Sequence, residues 1–250
     1  MAYKPRGSFK GNGDGSAARG RREAMITVKS GKGRTLSSKL WLERQLNDPY
    51  VTEAKRLGYR SRAAFKLIEM DDRFHVLKPG AKVVDLGCAP GGWLQVAAAR
   101  TKGSGRIVGI DLLETEPVTG ATAFVGDFLA EGAEDRLIGE LNGKADVVLS
   151  DMASATTGHS RTDHLRVVGL VEAAYVFALG ILAPGGAFIA KVFQGGTEGT
   201  LLDTMKRDFT KVVHVKPKSS RKESPEMYVA ALGFRGVDRA AEDEGDAVKA

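Results

Sequence analysis

The sequence predicts an α/β protein built on a mostly parallel, doubly wound sheet, and three observations carry that prediction. Short β-rich runs alternate with helix-patterned stretches across roughly 200 of the 250 residues. One run, Val83-Val84-Asp85-Leu86, passes straight into the glycine-rich turn Gly87-Cys88-Ala89-Pro90-Gly91-Gly92. Four successive runs end on or beside an aspartate (Asp85, Asp111, Asp127 and Asp151). That is the edge at which open α/β sheets bind ligands.

In chain order, Ala64, Phe65, Leu67 and Ile68 give helical character to 61–70. Strands are expected at 82–86, 106–111, 122–126, 145–150, 187–193, 211–215 and 227–233, where apolar runs are bounded by turn formers. Helices are expected at 93–100, 131–141, 163–182 and 197–209. Five strands with helices between them imply parallel pairing with both sheet faces covered. The last two strands are joined only by the polar segment 216–225. A connection without a helix suits an antiparallel pair at the sheet edge.

Residues 1–36 are rich in Gly, Ser, Lys and Arg and too poor in large apolar groups to offset ordering entropy, so a basic disordered leader is expected. Residues 237–250 read as an acidic disordered tail, leaving one domain over 37–236. Net charge is +6, and nine Lys/Arg against Asp14 and Glu23 concentrate it in residues 1–34. A second basic cluster comprises Lys206, Arg207, Lys211, Lys216, Lys218, Arg221 and Lys222. Basic regions of this kind suit a polyanionic partner. A lone cysteine, Cys88, excludes an intrachain disulfide and a multi-cysteine zinc site. The four histidines have no metal-binding spacing, so no metal is expected. No uninterrupted run of about 18 apolar residues suggests a membrane span, and the amino terminus has no apolar core of a secretion signal.

The glycine-rich turn opens a helix, whose first N–H groups lack intrahelical partners and can face a ligand. It lacks the GxGxxG spacing of dinucleotide-binding folds, so a nicotinamide oxidoreductase is the weaker reading. Asp111 follows Gly87 by 24 residues, where a carboxylate can accept both ribose hydroxyls of an adenosine. Asp127 could meet the adenine amino group. Cys88 reads as a small buried filler.

These stretches are part of a longer set: Arg-Ser-Arg-Ala-Ala-Phe-Lys-Leu (60–67), Asp-Leu-Gly-Cys-Ala-Pro-Gly-Gly-Trp (85–93), Ser-Asp-Met-Ala (150–153), Lys-Val-Phe-Gln-Gly (191–195) and Ser-Ser-Arg-Lys-Glu-Ser-Pro-Glu-Met-Tyr (219–228). In that order, from about Trp41 to Gly233, the chain resembles the FtsJ/RrmJ-type ribosomal RNA large subunit methyltransferases. The resemblance implies a Rossmann-like class I fold with a seven-stranded sheet and S-adenosyl-L-methionine as cofactor. It implies transfer to the 2′-hydroxyl of a uridine in the aminoacyl-site loop of 23S rRNA, within the large (50S) ribosomal subunit. A cytoplasmic, monomeric bacterial enzyme with no metal and no membrane partner is the corresponding expectation. The resemblance also implies a Lys–Asp–Lys–Glu tetrad at Lys66, Asp151, Lys191 and Glu226, with cofactor contacts at Gly91, Trp93, Asp111, Asp127 and Asp151. One departure is Ser154-Ala155 where the family often has Pro-Asn, which bears on loop contacts near the substrate. A 2′-O-methyltransferase acting on tRNA or an mRNA cap, and a non-catalytic RNA-binding assembly factor, remain open as alternatives.

Lysine's ordinary pKa of about 10.4 keeps it protonated at neutral pH. Burial or a second cation lowers that value, and nearby carboxylates oppose the change. On this basis Lys191 is the candidate base, Asp151 its orienting partner and Lys66 the second charge; Glu226 positions. RNA contact is expected from the basic leader, Arg60, Arg62, Lys218, Arg221 and Lys222. Few aromatics interleave with these residues, so base stacking is not a visible mode.

Overall fold

Strand alternation decides which residues of this chain meet in which layer. A computed structural model describes residues 26–28, 36–154, 158–194 and 199–236. Most of the expected leader, all of the expected tail, and Ala155 lie outside the described residues. The chain divides into two units, residues 1–47 and 48–250.

In the first unit, helix α1 (Leu36–Leu46) is followed by Asn47. The Asn47 amide accepts from the Ile26 N–H at 2.7 Å and donates to the Ile26 and Glu43 carbonyls at 2.8 Å each. The Glu43 carboxylate accepts from the Val28 N–H at 3.0 Å.

The second unit opens with α2 (Pro49–Leu57), a helix the apolar pattern does not announce but whose ends carry sequence signals. Asp48 caps its start by accepting from the Tyr50 N–H, Pro49 occupies the first turn, and Gly58 ends it at φ 79°. Then come α3 (Ala63–Phe74), β1 (Lys82–Leu86), α4 (Gly92–Arg100), β2 (Arg106–Asp111), β3 (Ala121–Val125), α5 (Ala133–Leu141) and β4 (Ala145–Ser150). They are followed by α6 (Ser160–Ile181), β5 (Leu182–Phe193), α7 (Gly199–Asp208), β6 (Phe209–Val215) and β7 (Glu226–Phe234).

The seven strands form one sheet in the order β3-β2-β1-β4-β5-β7-β6. Strands β1 to β5 pair in parallel, and β7 runs antiparallel to both β5 and β6. The expected α/β class, with an antiparallel element at one edge, is therefore what the chain adopts. Two details of the connections bear on the sheet. No helix joins β2 to β3, because residues 112–120 hold Pro117 and end in Gly120 at φ 85°, neither suited to a helix interior. Strand β5 also begins earlier than its apolar stretch, at Leu182, with a register irregularity against β4 between Ala145 and Val147.

Alternate strand positions feed two cores. Val84, Leu86, Val108, Val148, Phe188, Ala190 and Val229 face a layer that includes α5, α6 and α7. Val83, Ile107, Val147, Leu149, Ile189, Tyr228 and Ala230 face α3 and α4. Within α6, residues 162–181 are long and apolar enough to cross a membrane by length and composition alone. Its Val167, Val171, Ala174 and Ala178 are instead buried in the core against the sheet. The order β1-β2-β3 on one side and β4-β5 on the other places a topological switch between β1 and β4, where a crevice opens at the carboxyl ends.

Phe188 sits wholly buried at the centre of β5, its ring 5.8 Å from that of Tyr175 on α6. Phe188→Ala is expected to remove about 3–5 kcal/mol of stability. Denaturant unfolding should show it as a lower midpoint with little change in slope.

Candidate functional site

The glycine-rich turn follows β1 and lies at the switch point. Gly87 has φ 80°, and a Cβ there would meet the Met152 N at 2.8 Å, so only glycine lets this turn pass the segment after β4. Gly91, at φ 103°, starts α4 without any side-chain cap. The first N–H groups of α4 are therefore not satisfied by a side chain of the preceding residue. A Cβ on Gly91 would lie 2.7 Å from Arg60 Nη1.

Asp111 ends β2, and its two oxygens accept from the Ala89 N–H at 2.9 Å and the Leu113 N–H at 2.8 Å. Gly91 and Asp111 thus border the same turn. Asp127 follows β3, is exposed, and accepts from the Leu129 N–H at 2.9 Å in a local turn. Leu112, Leu113 and Leu129 stand 60–69% exposed beside these two acids.

Asp85 is fully buried one strand position before the turn, and neither carboxylate oxygen has a hydrogen-bond partner among the described residues. Burial pushes its pKa well above the carboxylate range, and the charges of Asp151 and Asp111 push it further. Cys88 is also buried, and burial raises its thiol to about 12, which fits a filler and not a nucleophile.

The four tetrad positions come together, but as two ion pairs. Lys191 of β5 places Nζ 2.8 Å from Asp151 Oδ1 and donates to the Asp151 carbonyl at 2.8 Å. Lys66 of α3 pairs with Glu226 at the start of β7. Lys66, expected as the second positive charge, carries that charge within its pair with Glu226. The joint between the pairs is a residue that the sequence reading did not single out. Tyr228 OH lies 3.2 Å from Lys66 Nζ and 2.7 Å from Asp151 Oδ1. The β5–β7 register explains why: Tyr228 sits directly opposite Lys191, and Glu226, two residues earlier, shares its face. That register could have been sought in the sequence only with the strand order in hand.

The side chain of Trp93 turns into the core. Its indole N–H donates to the Ala63 carbonyl at 2.8 Å, and its ring packs 5.7 Å from Tyr228 inside the core. A tryptophan N–H is its only polar donor, so only the backbone amide of Trp93 remains to face the turn.

Two arginines expected to reach RNA serve the scaffold. Arg60 donates to the carbonyls of Pro90, Glu116 and Pro117, with 2.8 Å to Pro117, tying the turn to the β2–β3 connection. Arg62 places Nε 2.9 Å from Asp48 Oδ2, a charge pair whose N–H is not aimed for a hydrogen bond, and donates to the Ser219 carbonyl. Arg221 lies 3.4 Å from the same Asp48 oxygen. Guanidinium forks match such acceptors well, and that geometry draws them inward. Among the described residues no group of three His, Cys, Asp or Glu is arranged to hold a metal ion.

Comparison with known proteins identifies relatives of this chain. Residues 59–234 match the FtsJ-like methyltransferase family. The chain is 63% identical over 229 residues to a protein of Paramagnetospirillum magneticum named Ribosomal RNA large subunit methyltransferase E, covering 90% of this chain and 93% of that one. It is 58% identical over 235 residues to the protein of the same name in Rhodospirillum rubrum, covering 92% and 89%. Its fold is similar to the crystal structure of a ribosomal RNA methyltransferase from Plasmodium falciparum, with TM-score 0.64 and 32% identity, covering 71% of this chain and all of that one.

The buried acid at position 85 generates a pH-dependent prediction. Its folded-state pKa is raised, so the native state holds a proton that the unfolded state releases above about pH 4. Stability from this group is fully present below that value and is lost as pH rises toward the folded pKa. Asp85→Asn, which cannot ionise, should therefore show a higher denaturation midpoint than the natural protein at pH 8. The two midpoints should converge near pH 4.

Proposed function

The chain belongs to the FtsJ-like methyltransferase family, and on that premise we propose that it methylates a ribose 2′-hydroxyl of large-subunit ribosomal RNA with S-adenosylmethionine as donor. The intended target is a uridine of the aminoacyl-site loop in 23S rRNA within the 50S subunit, reached by a monomeric cytoplasmic enzyme. One observation carries the reading. The Lys191–Asp151 pair stands at the carboxyl ends of β5 and β4, beside the glycine turn and linked through Tyr228 to Lys66–Glu226.

The residues fit the cofactor. Asp111, already held by two backbone N–H groups, has lone pairs left for ribose hydroxyls. Asp127 beside exposed Leu112 and Leu129 suits an adenine ring, which needs an apolar face and a polar edge. Gly91 and the backbone amide of Trp93 suit the amino acid end, through the uncapped start of α4. Asp111, Asp127 and Asp151 lie at the carboxyl ends of β2, β3 and β4, a concentration of acids that favours a cationic ligand and disfavours a pyrophosphate. Bound there, S-adenosylmethionine supplies a methyl group on a sulfonium, open to in-line attack by an oxygen.

What the chain must do is hold the hydroxyl and receive its proton. Lys191 Nζ is the proposed acceptor of the 2′-hydroxyl proton, and the Asp151 carbonyl and carboxylate fix where that nitrogen points. Lys66, steadied by Glu226, offers a positive charge toward the oxygen as it gains negative charge. Asp151 borders both halves of the site, since its N–H donates to the Leu86 carbonyl at 3.0 Å just before the glycine turn.

Two outcomes test the assignment. Lys191→Ala, folded and still binding S-adenosylhomocysteine, should lose at least about a hundredfold in methyl transfer to 50S subunits from cells lacking the enzyme. Near-normal turnover would remove Lys191 from its role, and transfer to naked tRNA or capped RNA in preference to 50S subunits would overturn the substrate. Asp111→Ala should weaken S-adenosylhomocysteine binding about tenfold to a hundredfold by calorimetry, with no binding of NAD by either protein.

A further inference from the structure

Tyr228 is wholly buried, so its phenol cannot touch RNA, yet its oxygen stands between the two ion pairs. The direction of its proton follows from its neighbours. A lysine ammonium only donates and a carboxylate only accepts, so the phenol oxygen accepts from Lys66 and its O–H donates to Asp151. Burial pushes the Tyr228 pKa well above its ordinary value, followed by the charges of Asp151 and Glu226, so the O–H persists through neutral pH. Asp151 Oδ1 therefore has two donors, the Tyr228 O–H at 2.7 Å and the Lys191 ammonium at 2.8 Å.

Resting on the methyl-transfer reading above, we propose that Tyr228 is a positioning residue that sets the proton affinity of Lys191 by competing with it for the Asp151 carboxylate. A carboxylate that accepts a phenol O–H offers less negative charge to a neighbouring ammonium. Lys191 then gives up its proton more readily and can receive that of the substrate hydroxyl. The same phenol holds Asp151 in register with Lys66, so the two pairs act as one chain of five groups. The aromatic ring also packs against Trp93, in the first turn of the helix that follows the glycine turn, which brings the cofactor side and the proton-accepting side onto one rigid contact.

Charged groups surround the phenol from several elements. Lys66 and Arg62 approach from α3 and the residue before it, Asp151 from the end of β4, Lys191 from β5, and Glu226 from its own strand. Asp85 of β1 acts on Asp151 from beneath. The β6 partner, Val215, carries no charge.

Tyr228→Phe keeps the ring and removes only the oxygen. Methyl incorporation into undermethylated 50S subunits is measured from pH 6 to 10, with S-adenosylhomocysteine affinity by calorimetry as the control for folding and the cofactor site. The expected result is turnover about tenfold to a hundredfold lower at pH 7 and recovering as pH rises, the acid limb moving up by about one unit, with cofactor affinity unchanged. Genetically encoded 3-fluorotyrosine at position 228, a stronger O–H donor of nearly the same size, should move the limb down. An unmoved limb in both variants overturns the proposal, as does an equal loss at every pH with weakened cofactor binding, which marks a packing role only. Lys191→Ala run in parallel separates the two levels: full turnover there sinks the methyl-transfer assignment itself, whereas loss of turnover with an unmoved Tyr228→Phe profile sinks only the inference.

Discussion

The site depends on one constraint, the antiparallel ladder between β5 and β7. Every other strand in contact with β5 or β1 is parallel, and β7 enters between β5 and β6 in the opposite direction. Antiparallel pairing sets residues squarely opposite one another, so Tyr228 faces Lys191 across the ladder and Glu226 lies one repeat along the same face. A slip by one residue would turn both side chains into the opposite core and leave Lys66 and Lys191 without their partners. The hydrophobic residues that follow them on β7, Val229 and Ala231 toward the opposite core and Ala230 toward the core of Tyr228, hold that register by burial.

Buried charge explains why the cluster has so many members. Lys66 and Lys191 are 6% and 8% exposed, and an ammonium so far from water is costly unless its hydrogens are matched by acceptors. The protein supplies a carboxylate to each and a phenol between them, with Ser220 adding a bond to Glu226 at 3.2 Å. Asp85, a short distance below, has no such partner and lies among other acids. Protonation, favoured by burial and by the charges of Asp151 and Asp111, spares Asp85 the cost of an unpaired buried charge.

The arginines extend the same logic to the backbone. Arg60 gathers three carbonyls from the glycine turn and the β2–β3 connection, a segment with no helix to brace it. Arg62 and Arg221 meet at Asp48, and Glu69 accepts from the Lys218 and Ser219 N–H groups at 2.6 and 2.9 Å. Together these bonds pin the polar segment between β6 and β7 onto α3, and so fix the entry of Glu226 into its strand. Arg60, Arg62 and Arg221, which the sequence offers as RNA contacts, also brace the site from within the fold.

The α/β class, the strand sequence, the glycine turn and the aspartates at the strand ends were legible in the chain because each is a local property: a hydrophobic period, a residue that tolerates positive φ, a carboxylate at a run's end. Helix α2 has end signals in Asp48-Pro49 and Gly58, but its nine residues carry few large apolar side chains and the sequence did not announce it. The tetrad positions entered through resemblance, and no local feature of Lys66 or Glu226 marked them. Only the tertiary structure decided that Lys66 belongs to Glu226, that Trp93 turns into the core, that Arg60 and Arg62 face inward, and that Tyr228 joins the two pairs. Each of these is a contact between segments 30 to about 160 residues apart, chosen by strand order and register. A sequence lists the donors and acceptors; which of them share a hydrogen bond depends on distances that exist only once the sheet has closed.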